Sequence, residues 1–185
     1  ASDVYKRQGK IKVTDMYNAK IIKRKVFLSY HHDGDQYYYD EFSKKFHDVY
    51  EAVTDNSLDR RVDSDDIDYV MRRIREYYIA GTSCSIVFVG NESWGRKYID
   101  WEIKSTLDKQ HGLIGVQLPT LLSNSYGQVT VPARLSDNIA SGYALWVSWA
   151  DFTASISSCR EYIEQANCRS NTLIRNTRER RLRNA

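Results

Sequence analysis

Two short stretches carry the residue types that could do chemistry. Phe27–Gln36, FLSYHHDGDQ, runs from apolar residues into a hydroxyl, an aromatic, two histidines and two aspartates, with Gly34 between the acids. Residues 91–109, NESWGRKYIDWEIKSTLDK, hold Glu102 among aromatic neighbours. On a helix this second stretch puts Ile99, Ile103 and Leu107 on a buried stripe. Lys97, Asp100, Lys104 and Asp108 then lie on the wet face, where Asp100–Lys104 and Lys104–Asp108 pair at i,i+4. Glu102 belongs to neither set: it lies about 60° from Ile99, at the border of the stripe. Its neighbours at three and four residues are Tyr98, Ile99, Ser105 and Thr106, so no lysine or arginine of its own helix neutralises it. Desolvation without a counter-charge perturbs a carboxylate, which makes Glu102 a candidate functional group; the alternative is a solvated glutamate at the helix border. No metal is expected at His31 and His32, because adjacent histidines on an extended backbone point to opposite sides and no other spacing completes a ligand set. Asp33 and Asp35 are placed to cap the helix that follows.

The elements that position these residues follow from periodicity. Lys25–Tyr30 is a β-rich run, and Tyr38, Phe42, Phe46 and Val49 recur at helical spacing within Gly34–Tyr50. Ala52–Asp55 predicts a short strand, and the polar loop DNSLDRRVDSDD leads from it to a helix with Ile67, Val70, Met71, Ile74 and Tyr78 on one face. Asp65 and Asp66 start that helix, and Arg72, Arg73 and Arg75 lie nearer its end. Ser85–Val89 is uninterruptedly apolar, as a central strand covered on both faces should be. A third helix over about Trp94–Lys109, strands at Leu113–Leu118 and Ala144–Trp149, and a last helix with Phe152, Ile156, Cys159, Ile163 and Ala166 on one stripe complete the chain. This alternation predicts an α/β fold, with a five-stranded, mainly parallel sheet, helices on both faces and right-handed crossovers. Ligands of such sheets bind beyond the carboxyl ends of the strands, near where strand order reverses, and FLSYHHDGDQ is such an end. The irregular stretch Leu121–Gly142 is long enough to serve as a covering or contact element.

Length and composition set the frame: 185 residues, 42% of them hydrophobic, suffice for one domain with its own core. No apolar run reaches membrane-spanning length and no leader opens the chain, so a soluble, cytoplasmic protein is expected. Cys84, Cys159 and Cys168 form no metal spacing, and Cys84 reads as a reduced, buried thiol. The formal charge of +3 comes from the tail, since six arginines and one glutamate put residues 169–185 at +5 and everything before them at −2. A solvated or frayed basic tail is therefore expected, one whose removal spares activity, and nucleic acid is an unlikely partner for the folded part. No glycine-rich phosphate loop follows the first strand, so the dinucleotide fingerprint and the P-loop are both absent. Val89-Gly90-Asn91 offers no phosphorylatable aspartate, which argues against a receiver domain.

Arg24–His31 (RKVFLSYH), Val87–Ile103 (VFVGNESWGRKYIDWEI) and Pro132–Asn138 (PARLSDN) resemble the bacterial TIR-like domain, whose best-known members are the TIR-like subunits of the Thoeris anti-phage system. The resemblance covers roughly residues 24–168. Its most specific part is the aromatic-x-x-aromatic-Glu-Ile pattern of Tyr98, Trp101, Glu102 and Ile103. On this basis residues 21–168 are expected to be the TIR-like domain, 169–185 its basic tail, and 1–20 an extension whose first eight residues, ASDVYKRQ, resemble non-native sequence. The resemblance implies a flavodoxin-like fold and an enzyme that cleaves NAD, as substrate rather than cofactor, to make a nucleotide signal. It implies Glu102 as the catalytic glutamate, Phe27 as the phenylalanine of the first strand, and Ser29, Tyr30 and His31 as the strand-end group. Phe27, Ser29, Tyr30, His31, Trp94, Tyr98 and Trp101 are thus the candidate substrate-binding residues, with core packing as the alternative for each aromatic. The loop before the fifth strand departs from the Thoeris pattern, lacking its glycine and Asn-Pro pair.

The chemistry suits these residues. Nicotinamide departs from NAD as a neutral molecule, so the glycosidic bond needs no general acid, and a carboxylate can hold the ribose hydroxyls and offset charge on the oxocarbenium-like ribosyl group. Apolar walls would exclude water, so that an internal hydroxyl could cyclise the product into a cyclic ADP-ribose. Because free-running NAD cleavage would drain the cell, the resting chain is expected to be poorly active until protomers self-associate or a phage-derived activator binds. An effector protein would sense the product. A non-catalytic TIR-like adaptor and a nucleoside N-glycosidic transferase stay open as alternatives.

Overall fold

The computed structural model describes residues 24–53 and 67–185. The expected N-terminal extension and the polar loop with Asp65 and Asp66 lie outside the described residues. Five strands, β1 (Arg24–Ser29), β2 (Tyr50–Val53), β3 (Cys84–Val89), β4 (Gly112–Gln117) and β5 (Leu145–Ser148), form one sheet in the order β2-β1-β3-β4-β5. Every pairing is parallel. With helices on both faces this is the flavodoxin-like arrangement, and strand order reverses between β1 and β3. β3 is buried along its whole length, as its unbroken apolar sequence requires.

The period-two alternation of the strands sorts side chains to opposite faces. Val26 and Leu28 of β1, with Ile86 and Phe88 of β3, point to the face covered by α1 (His32–Phe46), α5 (Trp149–Phe152) and α6 (Ile156–Asn167). Phe27 of β1, with Val87 and Val89 of β3, points to the face covered by α2 (Ile67–Arg73), α3 (Lys97–Asp108) and α4 (Ala133–Ala140). Among the described residues no helix is long and apolar enough to cross a membrane.

Several local expectations need correction. Helix α1 begins at His32, after His31 in extended conformation, so Asp33 and Asp35 fall within its first turn and neither caps it. They still favour the helix through its dipole. Helix α2 runs into a π-helical turn at Ile74–Ile79. The expected third helix is split: Arg96 is extended and separates a short 3-10 turn, Ser93–Gly95, from α3. The last helix is also split, because Ser148 and Ser155 each accept a backbone N–H and start their own helices. The irregular stretch Leu121–Gly142 contains α4 and a small antiparallel link between Ser123 and Val129.

The largest departure is the tail: most of its residues are solvent-exposed, as expected, but it is docked on the domain rather than frayed. It runs over α4 and α3 to the start of α3. Asn138 Oδ1 accepts the Arg175 N–H, and Asn176 Nδ2 donates to Asp108 at 2.8 Å. Arg178 pairs with Asp137 and Arg180 with Asp68, each at 2.8 Å. Two of the six tail arginines, Arg178 and Arg180, thus meet acids of the domain's own helices. Asp100, expected on the wet face, is consequently buried: Arg134, fully buried itself, holds it at 2.9 Å, and the Arg181 N–H donates to it at 3.0 Å. The wet-face pair Lys104–Asp108 forms as expected, at 3.3 Å.

Candidate functional site

Glu102 lies on the α3 face of the sheet, at the carboxyl end of β1. The Ser29 hydroxyl, on the last residue of β1, donates to its Oε2 at 2.6 Å. Such a short bond to a carboxylate is charge-assisted and fixes the carboxylate relative to the strand end. Below it, Thr106 Oγ1 donates 2.7 Å to Ser85 of β3, and it lies 2.9 Å from the Glu102 backbone carbonyl. Ser29, Ser85, Glu102 and Thr106 are all buried, Glu102 being only 7% exposed. The sequence placed Glu102 at the border of the buried stripe; the structure puts it inside, because a serine of β1 reaches it there.

A second polar group occupies the carboxyl ends of β1 and β3. Asp35 is buried, and the Ser93 hydroxyl donates to its Oδ2 at 3.2 Å while accepting the Gly90 N–H at 3.0 Å. Burial pushes the Asp35 carboxyl above the ordinary aspartate range, against smaller opposing effects from Ser93 and His31. A β-carbon at Gly90 would clash with the Asp35 carboxyl, so any larger residue after β3 would push Asp35 out of this position. Nearby, His31 Nε2 lies 3.3 Å from the Glu92 carboxylate, which also binds Arg96. These contacts tie the end of β1 to the loop that leads into α3.

The candidate residues divide into groups. Ser29 and Glu102 touch. Phe27 and Trp101 are buried with Met71, Ile74 and Ile79 in one apolar cluster, with Tyr98 packed on its edge and set edge-on to Trp101 at 5.3 Å. Phe27 and Trp101 thus pack in the core on the face of the sheet that carries Glu102. Tyr30 points to the opposite face, stacked on Tyr39 with ring centroids 5.0 Å apart and donating to Gln36 at 3.0 Å. The structure thus separates Tyr30 from Glu102. Trp94, 41% exposed, lines a surface groove with Asp100, Pro132 and Arg181. That is the Asp100 side of α3, about 200° around the helix from Glu102.

Asp35, Ser93, Asp100 and Arg134 went unrecognised as parts of a polar framework around this end of the sheet. A sequence signal existed for one of them: Arg134 and Asn138 are polar residues one helical turn apart beside Leu135, and both are fully buried. The partners that bury them come from distant segments, which no spacing rule supplies.

The geometry agrees with comparison to known proteins. The family model described as Thoeris protein ThsB, TIR-like domain, matches residues 27–123, a span that includes Ser29, Asp35, Ser93 and Glu102. No curated protein matches the chain. With the match covering just over half of the sequence and the sheet order that a TIR-like fold requires, this chain belongs to the Thoeris ThsB TIR-like domain family.

Proposed function

We propose that the chain cleaves the nicotinamide–ribose bond of NAD and makes a cyclic ADP-ribose-type signal in anti-phage defence. The observation that carries this is a buried carboxylate, Glu102, fixed by Ser29 at the carboxyl end of β1, where strand order reverses. In this reaction the C1′–N bond breaks and nicotinamide leaves with the bonding electron pair. Glu102 holds the ribose hydroxyls and offsets the positive charge that develops on the ribosyl group. Ser29 keeps the carboxylate aimed at that point, and Phe27, Tyr98 and Trp101 form the apolar side of the site. An internal nucleophile of the bound ADP-ribosyl group then attacks C1′ and releases its proton to solvent, which closes the ring. With water admitted instead, linear ADP-ribose forms.

The burial of Glu102 supports a resting state of low activity. At 7% exposure its carboxylate is reached by a ribose only after the surrounding elements shift. Self-association of protomers, or binding of a phage-derived activator, would supply that shift, and a separate effector protein would read the product.

The test is incubation of the purified chain with NAD at rising protein concentration, with products resolved by chromatography. Nicotinamide release whose specific activity climbs with concentration, and cyclic products in excess of ADP-ribose, are expected. Absence of nicotinamide at every concentration would favour a non-catalytic adaptor. Base exchange on nucleosides without NAD turnover would favour a transferase.

A further inference from the structure

The tail is bound to the helix that carries Glu102 at several points along its length. Asn184 Oδ1 accepts the Lys97 N–H at 2.9 Å. Lys97 is the first residue of α3, and the residue before it, Arg96, gives no side-chain cap. The first N–H groups of a helix have no partner within the helix, so Asn184 caps α3 from 87 residues away in sequence. One turn on, Arg181 is bound through both of its backbone groups: its N–H donates to Asp100 at 3.0 Å, and its carbonyl accepts the Trp101 indole N–H at 2.8 Å. Asp100 and Trp101 are the two residues immediately before Glu102. Arg134 links the same points, donating to Asp100 and to the Glu179 carbonyl at 3.1 Å.

We propose that residues 171–184 are a strap that positions the Glu102 helix for catalysis, so that the strap sets turnover and is more than a stabiliser of the domain. This inference rests on the NAD-cleaving role given above. Two features separate positioning from general stabilisation. The contacts run along α3 from the Lys97 N–H through Asp100 and Trp101 to the Lys104 carbonyl and Asp108, so that they fix the helix's rotation and axial register. They also leave the opposite face of the sheet untouched, since the ion pairs of the strap end on Asp68 and Asp137, in α2 and α4. Freed of the strap, α3 could slide or fray at its start, and the 2.6 Å bond between Ser29 and Glu102 would lose its register.

The experiment compares the intact chain, the Asn184→Ala variant and a chain lacking residues 171–185, by amide hydrogen exchange and by steady-state nicotinamide release. Asn184→Ala removes one exposed cap acceptor. It should speed exchange in the first turn of α3 about fivefold and lower kcat by a similar factor with KM little changed, while β3 amides keep their protection. The shortened chain should lose most turnover and regain it, saturably, when a peptide of residues 171–185 is added. Full activity of the shortened chain would overturn the proposal, as would Asn184→Ala exchange that is unchanged in α3 or raised equally in α3 and β3. An intact chain that releases no nicotinamide would overturn the NAD-cleaving role instead, and the exchange comparison alone would then uphold or overturn the strap.

Discussion

On the face covered by α1, α5 and α6, the sheet buries Val26, Leu28, Ile86, Phe88, Ile114 and Val116 against Phe42, Phe46 and Phe152, with Phe42 stacked on Phe152 at 5.9 Å. On the face covered by α2, α3 and α4, the apolar clusters are interrupted by Ser29, Ser85, Glu102 and Thr106 over the sheet and by Asp100, Arg134 and Asn138 between the helices. Burying polar groups costs stability unless each finds a partner, and buried ion pairs seldom repay their desolvation. One sheet thus carries a face that stabilises the fold and a face on which stability is given up around Glu102. The α3 face is the one on which the proposed function places its chemistry.

Substitutions on the two faces should act differently. The largest expected effects are on stability, and they differ in kind between the faces. Arg134→Ala strands Asp100 as a buried, uncompensated charge and should cost about 3–5 kcal/mol. Phe42→Ala should cost about the same, by opening a cavity. The faces separate in activity per folded molecule, measured below the melting transition: it should fall for Arg134→Ala and hold for Phe42→Ala. Equal losses in both would remove the distinction between the faces. Next in size is Ser29→Ala, which deletes one hydrogen bond to a carboxylate. Turnover should drop about ten- to a hundredfold, and stability should fall by about 1–3 kcal/mol, less than for Arg134→Ala.

The smallest effect is a pH dependence. Burial raises the Asp35 carboxyl above its ordinary value. A raised carboxyl favours the folded state while it is protonated, so its contribution is complete below the unfolded aspartate value and is lost as pH rises through the raised one. Asp35→Asn cannot ionise. Its melting temperature relative to the parent should therefore climb as pH rises above the ordinary aspartate value. A difference that stays flat as pH rises would show that Asp35 carries no desolvation penalty.

The alternation of strands and helices and the layering were legible in the sequence because both follow from local periodicity: SIVFV reads as a covered strand, and Phe42 and Phe46 mark the inner stripe of α1. Glu102 was legible for the same reason, as the one acid of its helix outside both the buried stripe and the wet face. Asp100 was not. Its helical position says solvent, and only α4 and the tail, brought in from more than thirty residues away, reverse that. The tail itself reads as a run of arginines, and its order comes from acids scattered over three helices. Tyr30 shows the converse limit, since a one-residue step along β1 moves it to the face away from Glu102.

In the proposed reaction Glu102 performs the chemistry and does not merely hold the fold. Glu102→Gln keeps the size and the hydrogen bond from Ser29 while removing the charge. Melting temperature and nicotinamide release should be measured on the same preparation. The account predicts a melting temperature close to the parent and turnover lower by about a hundred- to a thousandfold. A folded Glu102→Gln protein that cleaves NAD at the parent rate would contradict it.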